Sequence, residues 1–120
     1  MGARTAPPRY THPFQAYRMK RFLIQYTFHP ESGPEAAWHL YVANFIAALD
    51  SDPELKGRIR YRCMKARDRG DYFHIAEVSD DVAAKILQQR EFFKHYTAET
   101  NRVSGGTLKV IPLEMIAESP

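Results

Sequence analysis

The chain has 120 residues, 44% apolar and 12% aromatic, enough hydrophobic material for one packed domain, which excludes a disordered or fibrous protein. No apolar run approaches the roughly 18 residues of a membrane-spanning helix and no apolar signal block stands at the start; with the lone Cys63 suited to a reducing compartment and unable to build a disulfide or a cysteine-rich metal cage, a soluble cytoplasmic protein is expected. The formal charge of +3 comes from Arg4, Arg9 and Arg18, since from Met19 onward 14 basic residues meet 14 acidic ones, and a neutral folded part argues against a phosphate-binding field over the whole surface.

Residues 1–18 read as a basic tail carrying Pro7, Pro8 and Pro13 with few aliphatics, able to bury little; a basic interaction arm or a targeting peptide are the alternatives. The working domain is expected over residues 19–120. Phe22, Ile24, Tyr26 and Phe28 alternate with Arg21, Leu23, Gln25 and Thr27, the period of a strand, which His29-Pro30 ends. Ser32-Gly33-Pro34-Glu35 reads as a capping box opening a helix. Its apolar stripe is Trp38, Tyr41, Val42, Phe45, Ala48 and Leu49. Ile59, Tyr61 and Cys63 then alternate with Arg58, Arg60 and Arg62, and the turn Arg67-Asp68-Arg69-Gly70-Asp71 joins that strand to a third, Tyr72 to Val78, as a hairpin. Ser79-Asp80-Asp81 supplies a cap and two acids to a second helix with the stripe Val82, Ala83, Ile86, Leu87, Phe93 and Tyr96. Ser104-Gly105-Gly106 is turn chemistry, and Thr107 to Ile116 is a fourth strand whose Pro112 requires an edge position or a bulge.

The order β-α-β-β-α-β predicts an α+β, ferredoxin-like domain: a four-stranded antiparallel sheet with both helices on one face. The bare face then carries Leu23, Phe73, Ile75 and either Leu108 or Ile111. Packing of that face on a second copy is the expected remedy, and a homodimer is predicted.

The opening strand Phe22-Leu23-Ile24-Gln25-Tyr26, the hairpin strand Tyr72-Phe73-His74-Ile75-Ala76-Glu77-Val78 and the run Glu91-Phe92-Phe93-Lys94-His95-Tyr96 followed by Val110-Ile111-Pro112-Leu113 resemble the dimeric α+β barrel superfamily, and within it the antibiotic biosynthesis monooxygenase-like proteins. The resemblance spans roughly residues 19–118. It implies a homodimeric barrel and a cofactor-independent monooxygenase-like activity on a small aromatic or quinone-type molecule, with no cofactor. In such oxygenases an asparagine, a tryptophan and basic groups hold an ionised phenolic substrate whose own electrons reduce oxygen. A non-catalytic, dimeric small-molecule-binding or stress-type module of the same fold is the alternative.

None of the five histidines makes a His-x-x-x-His pair or joins an acid at metalloprotease spacing, so no metal site is expected. His74 shares a strand face with Tyr72, Ala76 and Val78. Facing the helices, it would put an imidazole into the sheet-helix cavity as acid, base or hydrogen-bond anchor; the alternative is a buried histidine bonded to backbone or a tyrosine. His95 is expected near the end of the second helix, where a cation suits the dipole. Trp38, Tyr41, Asn44 and Phe45 on the first helix, with Tyr26 and Tyr61 from strands, form either plain core or an aromatic pocket with polar handles. In the pocket reading the resemblance gives Asn44 the orienting role beside His74, and Trp38, Tyr41, Tyr61 and Tyr26 the walls. The Arg58, Arg60 and Arg62 row reads as an aggregation-blocking edge or an anion site. No aromatics interleave it for RNA. Cys63 reads as a buried, inert thiol.

Overall fold

The computed structural model describes residues 19–120; the expected basic tail at residues 1–18 lies outside them. Among the described residues four strands and three helices follow as β1 (Lys20–Thr27), α1 (Glu35–Ser51), β2 (Ile59–Lys65), β3 (Asp71–Val78), α2 (Asp81–Gln89), α3 (Glu91–Val103) and β4 (Lys109–Leu113), with a 3-10 turn at Pro30–Ser32. The sheet runs β2-β3-β1-β4, every neighbouring pair antiparallel. This is the expected ferredoxin-like α+β architecture.

Successive strand side chains point to opposite faces. In this register Ile24 and Tyr26 of β1 lie beside His74 and Tyr72 of β3, and Tyr61 and Cys63 of β2 beside Ala76 and His74. The helices cover that face. α1 lays Trp38, Val42, Phe45 and Leu49 onto it at the three- and four-residue spacing of a helical stripe, and Leu87 of α2 with Tyr96 and Val103 of α3 complete the buried core. Each such large side chain taken from water is worth about 1.5–3 kcal/mol.

On the other face Leu23 stands between Ile75 and Ile111, and Met64 opposite Phe73. The pair left open by the alternation is thereby resolved: Leu108 packs against the core, and Ile111 lies on the uncovered face. An ion pair also sits there, Arg21 Nε to Glu77 at 2.9 Å with both side chains nearly buried. Pro112 falls in β4, which pairs only with β1, so the missing N–H is tolerated at the edge. The arginine row falls on or just before the opposite edge strand, β2. Arg58 reaches Asp80 at 2.9 Å, Arg60 lies 3.8 Å from Glu77, and Arg62 is exposed.

Two expectations are corrected. No capping box forms: Ser32 Oγ donates back to the His29 carbonyl at 2.6 Å, Pro34 is the residue before the first turn of α1, and the Glu35 carboxylate accepts from Tyr72 Oη instead. The second helix is two. Arg90 adopts an extended backbone (ψ 133°) between α2 and α3, and its guanidinium donates to Asp52 at 2.7 Å and to Glu54 at 2.6 Å. Within α2, Ala83 and Leu87 are buried and Val82 is exposed, and the break puts His95 in the first half of α3 rather than near a helix end. The acidic cap does form, with Asp80 Oδ1 accepting from the Ala83 amide at 2.8 Å.

Candidate functional site

His74 is completely buried, in the middle of β3 under the helices. Its imidazole is held on both sides by phenols: Nε2 meets Tyr26 Oη at 2.7 Å, and Nδ1 meets Tyr61 Oη at 2.6 Å and Tyr96 Oη at 3.1 Å. Cys63 Sγ lies 3.3 Å from Nε2. Trp38 Nε1 donates to Tyr26 Oη at 2.8 Å, and Tyr96 Oη donates to Tyr61 Oη at 2.9 Å. Burial pushes the imidazole down to about 4, so it is neutral at physiological pH. The same desolvation raises the phenols of Tyr26, Tyr61 and Tyr96 far above their ordinary value and the Cys63 thiol to about 11. Every member of the cluster is uncharged.

The proton positions follow from the network. An indole N–H can only donate, so the Tyr26 oxygen accepts from Trp38; of the two tautomers, the one with Nε2 as acceptor is assigned because it gives the proton of the buried Tyr26 hydroxyl a partner. A neutral imidazole with Nε2 as acceptor carries its proton on Nδ1. That proton goes to Tyr61, which also accepts from Tyr96. The Tyr61 hydroxyl proton is then the one left over.

Tyr61 and Tyr96 line a cavity of about 590 Å³ between the sheet and helices α2 and α3. Phe22, Ile24, Ile59 and Val78 form its sheet wall, and Phe45, Leu87, Phe93 and Thr100 face them from the helices. Lys20, Asp81 and Lys85, all exposed, contribute to its lining. The volume and the mostly apolar lining with few polar groups suit a small, flat organic molecule. Among the described residues no group of three or more metal-capable side chains comes together, and no helix is long and apolar enough to cross a membrane.

The structure gathers His74, Tyr61, Tyr26 and Trp38 into one network. Tyr41 joins it through stacking, 5.8 Å from the Trp38 ring and 6.2 Å from that of Tyr96. Of these only Tyr61 lines the cavity; the rest stand behind it. Asn44 does not join them. It is exposed on α1, one residue before the buried Phe45 and so turned about 100° away from that inward direction, and the expectation that it orients a ligand does not fit this placement. Sequence reasoning missed Tyr96, which counted only as one member of an apolar stripe. A phenol on a helix stripe opposite a strand histidine was the available signal. Phe45 stacks on its ring at 3.7 Å between centroids and 4° between planes, fixing the hydroxyl over Tyr61.

A four-stranded antiparallel sheet with helices on one face and a phenol-lined cavity between them defines the class of fold, ferredoxin-like α+β. Solved structures share it. SnoaB, a cofactor-independent oxygenase from Streptomyces nogalater, matches with a TM-score of 0.67 at 20% identity over 86% of this chain and 98% of its own. A conserved protein from Methanosarcina mazei matches with a TM-score of 0.68 at 13% identity, covering 84% of this chain and 96% of that one. An antibiotic biosynthesis monooxygenase gives 0.64 at 15% identity, covering 82% and 99%. At these identities the likeness is one of fold. No protein-family model matches the sequence, and no curated protein does.

Proposed function

We propose that the protein binds a small aromatic or quinone-type molecule in the sheet-helix cavity and acts on it as a cofactor-independent monooxygenase. The observation that carries the reading is Tyr61 on the wall of a mostly apolar cavity, its oxygen bonded to His74 Nδ1 and Tyr96 Oη so that its own proton is unused: a ring oxygen placed there receives a hydrogen bond. Stabilising negative charge on that oxygen favours the electron-rich form of an anthrone or quinol, which reacts with oxygen directly. For an anthrone the balance is closed by the substrate. The ring CH₂ becomes C=O, giving up four electrons, while one oxygen atom enters the ring and the other leaves as water with both hydrogens. Tyr61 is the proposed ligand-contacting residue, and His74 the hydrogen-bond anchor that aims it, with Tyr26 and Trp38 behind. The oxygenase descriptions of the fold relatives and the reducing-compartment signature of Cys63 support an enzyme of the cytoplasm.

The second reading, a binding module without turnover, is favoured by the closed end of the network. The Trp38 indole only donates, so a proton entering at Tyr61 finds no outlet through His74. Oxygen uptake with reduced anthrones and quinols, run beside ligand-induced thermal shift, separates the two: uptake supports the oxygenase, and stabilisation without uptake refutes it in favour of the binder.

The uncovered sheet face, with Leu23, Phe73, Ile75, Ile111 and Leu113, is proposed to pack on a second copy. Met64, Ile111 and Leu113 stand exposed on it, and a stable dimer removes on the order of 800 Å² from each partner. A monomer in sedimentation at micromolar concentration refutes this assembly.

A further inference from the structure

Building on the ligand-binding reading above, we infer that the cavity selects an aromatic ligand bearing an ionised acid group, with the acid at Lys85 on the rim and a ring oxygen at Tyr61. Three charged residues contribute to the cavity lining: Lys20, Asp81 and Lys85. Lys85 lies one turn beyond Asp81 on α2, the spacing at which an acid and a lysine ordinarily pair. Asp81 is instead drawn across to Lys20, Oδ1 to Nζ 3.0 Å. Those two charges cancel, and the Lys85 ammonium is left without an anionic partner among the described residues. The rim therefore offers one net positive charge.

The strand register sets the length of the ligand. Lys20 stands opposite Val78 at the rim, while His74, opposite Ile24, lies four residues further along β3, about 13 Å at the rise of a strand. Tyr61, opposite Ala76, reaches back to the imidazole. Between rim and phenol the walls are apolar, including Phe22, Ile59, Val78 and Leu87. A charge in that stretch would lose its hydration without compensation, so an ionised group is tolerated only at the rim. Two or three fused rings fit the span, with an acceptor oxygen at one end and an anion at the other.

The test titrates the full chain by calorimetry with an anthraquinone carboxylate and its neutral carboxamide, which share rings and ring carbonyls and differ in charge. The expected result is that the carboxylate binds up to about fivefold tighter, the range for a partly solvated ion pair, and that added salt reduces this preference. Lys85→Gln should bring the ratio to one, and Lys85→Arg should keep it. Equal affinity of the two compounds for the native protein, or a preference that survives Lys85→Gln, overturns the rim assignment while leaving the cavity reading intact. Failure of both compounds to bind overturns the two together.

Discussion

Replacing Tyr26 by Phe separates the network's structural work from its contact with a ligand. The ring and its parallel stack on Tyr72, 5.3 Å between centroids, remain; the oxygen that accepts from Trp38 Nε1 and donates to His74 Nε2 is lost. The indole N–H is left buried with no acceptor, and Nε2 keeps only the weak Cys63 thiol at 3.3 Å. A buried polar group stripped of its partner costs about 1–3 kcal/mol, the thiol offsetting part of the second loss, so Tyr26→Phe should destabilise by about 2–4 kcal/mol. Tyr61→Phe should cost about 1–2 kcal/mol, because Nδ1 still meets Tyr96 Oη at 3.1 Å while the Tyr96 proton loses its acceptor, and it should weaken a bound quinone by up to about tenfold through loss of the cavity-facing donor. Urea unfolding followed by circular dichroism measures the stabilities. Removing the donor as well, in Tyr26→Phe with Trp38→Phe, abolishes the orphan, so the double variant should lose about 1–2 kcal/mol less than the sum of the singles. A Tyr26→Phe cost below about 0.5 kcal/mol, or additive losses in the double variant, would show that these hydrogen bonds do not hold the core as argued.

Acid should destabilise the protein in a window set by His74. Its folded value is pushed down to about 4 by burial against about 6.5 in the unfolded chain; between the two the unfolded state binds the extra proton, so stability falls as pH drops through 6.5 and the loss levels off near 4, on the order of 3 kcal/mol in all. Carboxylates held low by their partners, such as Glu35 and Asp52, add losses only as pH falls through the carboxylate range, so a His74→Gln variant with an undiminished slope from pH 6.5 to 5 contradicts the assignment. Gly105→Ala should cost about 1–2 kcal/mol in the same unfolding assay, because its φ is +55° and an added Cβ would stand 2.9 Å from that of His29. Ile75→Glu, at the centre of the uncovered sheet face, should give folded monomers by sedimentation with unchanged circular dichroism; a dimer that persists places the contact elsewhere.

What the sequence made legible was whatever depends on neighbours in the chain. The alternation of β1 and of the hairpin, the stripe of α1 and the edge position implied by Pro112 all follow from spacing, and with them the inward direction of His74. The break at Arg90 did not, since Asp52 and Glu54, which hold its guanidinium, lie more than 35 residues earlier. The Ser32 box failed for a related reason: Glu35 had a partner across the fold in Tyr72. Asn44 and Tyr96 exchanged places in importance because a helix stripe gives directions only to within its width. That Tyr96 joins Tyr26 and Tyr61 on the imidazole is settled by the packing of α3.

With one tryptophan in the chain, and that indole buried and bonded to Tyr26 behind the cavity, the protein carries its own optical probe. Emission excited in the indole band reports from a single known point, two hydrogen bonds from the imidazole. Quenching by a bound chromophore and the red shift of a loosened core therefore read out occupancy and integrity without any attached dye.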